Sequence, residues 1–69
     1  MNAKIRQHLA EIESNSQIQE RYAKLAKFAD EVGLPDEAQR AEEAIREYEA
    51  DSDDHREVLL RLGFDPDAD

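Results

Sequence analysis

Apolar residues recur at steps of three and four along most of the chain, and no stretch alternates as a half-buried strand would. This spacing places side chains on one side of an α-helix. The clearest stripe has steps of 4, 3, 4 and 3, broadened by Phe28, and consists of Ile18, Tyr22, Leu25, Ala29 and Val32. The pattern therefore predicts an all-α fold.

A shorter apolar stripe containing Ile5, Leu9 and Ile12 precedes this one, and Ser14-Asn15-Ser16 separates the two. Serine and asparagine compete with the helix backbone for hydrogen bonds. Ser16 and Gln19, three residues apart, have the form of a capping box at a helix start. We therefore predict a first helix that ends near residue 14 and a second that begins near Ser16.

The end of this second helix is predicted by Gly33-Leu34-Pro35, because glycine adopts the left-handed conformation and proline cannot continue a helix. Asp36 and Glu37 then place negative charge at the positive end of a following helix. The stripe of that third helix consists of Ala38, Ala41, Ile45 and Tyr48. Its small residues permit close approach to a neighbouring helix.

The polar segment Asp51-Ser52-Asp53-Asp54 leaves two alternatives. Ser52 begins a separate short helix that ends at Leu62, or the third helix continues, because His55 and Leu62 keep the register of Tyr48. Four poor helix formers in a row favour the break. The segment Gly63-Phe64-Asp65-Pro66 repeats the earlier helix stop, and residues 65–69 are expected to form a frayed acidic tail.

These elements predict a single domain over residues 1–69, a small bundle of three or four short helices around a helical hairpin of residues 17–50. Sixty-nine residues are close to the lower limit for independent folding, and the chain has no cysteine for a disulfide. Self-association would supply the missing burial, so we expect a homodimer. The residues expected in the core or in the dimer seam are Ile18, Tyr22, Leu25, Phe28, Val32, Ile45, Tyr48, Leu59 and Leu62.

Three segments, Tyr22-Ala23-Lys24-Leu25-Ala26, Gly33 and Asp36-Glu37-Ala38, together resemble one tetratricopeptide-type helical hairpin over about residues 19–50. The chain departs from that pattern at Glu42, where a bulky apolar residue is usual, and at Ile45, where a small one is usual. No second repeat is visible, and solenoids need about three. The resemblance implies a helix–turn–helix hairpin and, more remotely, peptide binding.

The net charge of −9 is distributed unevenly along the chain. Residues 1–29 hold five basic and three acidic residues, whereas residues 30–69 hold four basic and fifteen acidic ones, which gives +2 and −11. Direct binding of nucleic acid or of an anionic membrane is disfavoured, and a partner protein with a basic surface is favoured. The chain also has no apolar signal region or membrane-spanning run, so we expect a cytoplasmic protein.

The histidines His8 and His55 are the first candidates for metal ligands. Neither has glutamate three residues before it, as a di-iron helical bundle requires, and Asp51 with His55 supplies only two ligands. The aspartate runs lack the glycine and glutamate of a calcium-binding EF-hand loop. With no cysteine and with serines only in capping positions, a nucleophile is also missing. We therefore expect no metal, no cofactor and no enzymatic activity, and we interpret the histidines as polar residues at a helix interface.

Four carboxylates fall on one face of the third helix if that helix continues through residues 51–54. We call them the acidic ribbon: Glu43, Glu47, Asp51 and Asp54. They are either a solvated surface that maintains solubility or the site that binds a basic partner. The functional hypotheses are a regulatory interaction module that uses the ribbon, a decoy inhibitor that mimics nucleic acid, and a purely structural oligomerisation unit.

Overall fold

The computed structural model describes residues 2–68, which form two long α-helices joined by a tight turn. Helix α1 spans Ala3–Glu31 and helix α2 spans Pro35–Arg61. The two helices pack against each other along their lengths as an antiparallel hairpin. The predicted all-α fold is confirmed, and no strand occurs among the described residues.

Two helices replace the three or four that the sequence predicted, because both expected breaks are helical. The polar residues at these positions bond to one another across the hairpin. The buried amide nitrogen of Asn15 donates to the carboxylate of Asp51 at 2.8 Å and to the hydroxyl of Ser52 at 3.1 Å. Gln19 forms no capping box and instead donates to the backbone carbonyl of Ile45 at 3.0 Å. Polar groups with partners in the opposite helix no longer favour a break.

Both predicted glycine stops are confirmed. Gly33 has φ of 79°, and the amide of Leu34 donates to the carbonyl of Ala29 at 2.8 Å. Gly63 has φ of 86°, and the amide of Phe64 donates to the carbonyl of Leu59 at 2.9 Å. This is the Schellman arrangement, in which glycine takes the left-handed conformation and the last carbonyls of the helix find donors.

The hairpin interior changes in character along its length. Near the turn it is made of small residues, and the predicted close approach is confirmed by the burial of Ala26, Ala29, Ala38 and Ala41. Asn15 and Ser52 occupy the middle, and Leu59 is fully buried towards the open end. A single chain therefore encloses very little large apolar volume.

The residues expected in the core or dimer seam divide into three groups in the single chain. Leu59 is buried, and the half-buried members are Ile18, Tyr22, Ile45 and Tyr48. Leu25, Phe28, Val32 and Leu62 are 46, 59, 51 and 45 % exposed. A seam between two copies that contains these residues stays a prediction.

The last described residues form a short turn, in which the amide of Asp67 donates to the side chain of Asp65 at 3.0 Å. Asp69, the last residue of the expected frayed tail, lies outside the described residues. Within residues 2–68, neither helix has the length and apolar character to cross a membrane.

Candidate protein-binding surface

The acidic ribbon lies on one uninterrupted helix, because α2 continues through residues 51–54. All four of its residues are exposed. A rise of 1.5 Å per residue places Glu43 and Asp54 about 16 Å apart along the helix axis. The sequence left open whether the helix continues through residues 51–54. It does, so the four carboxylates share one face of α2.

Asp51 differs from the other three members of the ribbon because its carboxylate is used inside the hairpin. It accepts the hydrogen bond from Asn15 and lies 3.3 Å from Nε2 of His55. Glu43, Glu47 and Asp54 make no ion pair with any residue in the range 2–68. These three side chains are the ones available to a partner.

Two tyrosines, one from each helix, stack beside the ribbon with their ring centroids 6.1 Å apart and their planes inclined by 27°. Tyr22 and Tyr48 border a groove of about 360 Å³ that is also lined by Ile18, Arg21 and Leu25. They border a second groove of about 230 Å³, together with Ala44, Glu47 and Asp51. We call this side of the hairpin the tyrosine face, and its two edges carry opposite charges.

A different edge of the hairpin carries a polar network between the helices. Gln19 donates to Glu49 at 3.2 Å, and the guanidinium of Arg56 contacts Glu49 at 3.5 Å and Asp53 at 2.9 Å. These groups are already paired with one another. The tyrosine face, in contrast, presents apolar groove walls.

His8 and His55 meet at the helix interface, with their Nδ1 atoms 2.8 Å apart. One Nδ1 must donate and the other must accept, so this bond requires at least one of the two rings to be neutral. Asp51 contacts the other nitrogen of His55, Nε2. Among residues 2–68, no group of three or more acidic or histidine side chains is arranged to hold a metal ion.

The sequence did not identify Asn15 or Arg21 as site residues, although a signal for Asn15 was present. Asn15 lies seven residues from both His8 and Tyr22, so it shares the inner face of α1 with them. Its polarity indicated a break, whereas its spacing indicated continuity. Arg21 carries no such signal, because only the arrangement of the two helices places it beside the tyrosines.

No protein-family model matches this chain, and no curated protein or solved structure is significantly similar to it. The tetratricopeptide-type resemblance therefore stays a prediction. The site is interpreted from its own geometry and charge.

Proposed function

We propose that this protein is a non-catalytic interaction module that uses the acidic ribbon to bind a basic surface of a partner protein. The observation that carries the proposal is the exposure of Glu43, Glu47 and Asp54 along one continuous face of α2. Within residues 2–68 they make no ion pairs. Carboxylates already paired within the chain would offer a partner little new attraction.

The ribbon would act mainly by steering the encounter. Like charges held on one rigid helix produce a local negative potential, which raises the association rate with a basic surface. Exposed charges at the rim of an interface contribute less to holding the complex together. Binding should therefore weaken strongly as salt screens the charges, with most of the loss in the association rate.

A variant with three neutral substitutions, Glu43→Gln, Glu47→Gln and Asp54→Asn, tests the proposal. A matched control, Glu13→Gln, Glu20→Gln and Glu31→Gln, removes the same charge from exposed positions of α1. Each protein is immobilised and exposed to lysate of its source cells at low and high salt. We expect a protein that the parent and the control retain at low salt and that the ribbon variant loses. Equal retention and equal association rates for all three would assign the ribbon to solvation alone.

The decoy hypothesis is the case in which the basic surface of the partner is a nucleic-acid channel. Competition distinguishes it from other basic surfaces. Duplex DNA or structured RNA added to the captured complex would displace a decoy, because both ligands need the same cations. A partner that stays bound at saturating nucleic acid uses a different surface.

A further inference from the structure

We infer that the tyrosine face is covered by a second copy of this chain, with α1 of each copy against α2 of the other and both turns at the same end. The product is a four-helix bundle with a twofold axis parallel to the helices.

One hairpin leaves a large surface in solvent for its mass. Its solvent-accessible area is 5260 Å², whereas a compact monomer of this mass exposes about 4400 Å². The radius of gyration is 14.9 Å, against about 11 Å for a compact chain of this length. The excess area, about 850 Å², matches the roughly 800 Å² that each partner buries in an interface of standard size.

Exposed apolar side chains of α1 lie beside the tyrosine face. Leu25 lines the tyrosine-face groove, and Val32 lies seven residues further on, so both project from the same side of the helix. Phe28, 59 % exposed, lies between them. With both turns at one end, each apolar cluster of α1 lies against α2 of the other copy, and both clusters are at the same end of the bundle.

The charges at the edges of the tyrosine face select the orientation. Arg21 and Glu47 precede Tyr22 and Tyr48, whose stacking places the two charged residues at about the same level of the hairpin. With a twofold axis parallel to the helices, α1 of one copy lies against α2 of the other copy at the same level. Arg21 of one copy then meets Glu47 of the other. An axis across the helices sets α1 over α1 instead, and where it passes at this level it brings two copies of Arg21 together. Opposite charges favour the first arrangement.

This dimer leaves part of the acidic ribbon open. Glu43 and Asp54 lie four residues before and seven residues after Glu47, and both are exposed. Only Glu47 is engaged by the arginine of the other copy. Glu47 belongs to both surfaces, so self-association is measured on the isolated chain, where no partner protein is present.

Sedimentation equilibrium of the full chain and of two charge-reversal variants, Arg21→Glu and Glu47→Arg, tests the inference. We expect a dimer for the parent at micromolar concentration, and an increase of at least about tenfold in the dissociation constant for each variant. An equimolar mixture of the two variants should recover the dimer, because both contacts between the chains are then of opposite sign. An attraction within one chain could not produce that recovery on mixing.

Matched controls reverse charge elsewhere on the same helices. The control variants are Lys27→Glu and Glu42→Arg. Lys27 lies about 240° around α1 from Arg21, and Glu42 lies about 140° around α2 from Glu47. Both residues are exposed. These variants should dimerise as the parent does. Circular dichroism on every variant verifies that the helices are retained, so that a monomer is not an unfolded chain.

Three outcomes would overturn the inference. A parent that remains a cooperatively melting monomer at about 100 µM shows that the face is not covered by a second copy, since that concentration detects even weak dimers. A dimer that persists in both variants uses another surface. A mixture that stays monomeric shows that α1 does not face α2 of the other chain.

Discussion

The side-chain amide of Asn15 donates a 3.1 Å hydrogen bond to the hydroxyl of Ser52, and the two residues are only 4 and 2 % exposed. A polar pair thus occupies the middle of the helix interface, where an apolar layer would be usual. Buried polar pairs of this kind fix the register of paired helices better than they stabilise them.

Replacing one member of the pair should cost stability, and replacing both should not. Asn15→Leu leaves the Ser52 hydroxyl buried without its donor, so we expect a loss of about 1–3 kcal/mol in the free energy of unfolding. The double variant Asn15→Leu with Ser52→Ala removes both polar groups and should equal or exceed the parent in stability. Urea denaturation of the parent, both single variants and the double variant measures the difference. A double variant as unstable as Asn15→Leu alone would show that packing, not the unmet hydrogen bond, sets the cost.

Asp51 should behave differently from the rest of the acidic ribbon. Its carboxylate accepts from Asn15 and contacts His55, so Asp51→Ala should lower the free energy of unfolding by about 1 kcal/mol. Glu43→Ala and Asp54→Ala should lie within about 0.5 kcal/mol of the parent, or slightly above it, because they relieve repulsion in an acidic chain. Thermal melts of the three variants provide the comparison, and equal melting temperatures would deny Asp51 a structural role.

The helix ends could be predicted from the sequence, because the forces that end a helix are local. Gly33 and Gly63 adopt the left-handed conformation that each stop requires, and their neighbours supply the capping hydrogen bonds. The continuity of the helices was harder to predict. Both predicted breaks are polar segments that lie opposite one another, and Asn15 pairs with Asp51 and Ser52 across that gap.

The hydrogen-bond partners of Asn15, Asp51 and Ser52, are 36 and 37 residues away in the sequence. The residues next to Asn15 in the sequence therefore do not reveal them. The seven-residue spacing of Tyr48, His55 and Leu62 ran through the second expected break, but local polarity outweighed it. The same limit applies to the candidate site. Spacing alone placed four carboxylates on one face, but only the packed hairpin shows that Asp51 is engaged and that Arg21 lies beside the tyrosines.

Two leucine truncations separate stability within one chain from stability between chains. Leu59 is fully buried in the single hairpin, so Leu59→Ala should cost about 2–5 kcal/mol at any protein concentration. Leu25 is 46 % exposed, so Leu25→Ala should cost a monomer under about 1 kcal/mol. If Leu25 is buried against a second copy, the loss of unfolding free energy caused by Leu25→Ala should approach that of Leu59→Ala in micromolar samples. On dilution this loss should shrink, because the dimer then dissociates before it unfolds. Denaturation at two protein concentrations a hundredfold apart decides between the two cases. A small cost for Leu25→Ala at both concentrations would place the side chain in solvent and remove it from any seam.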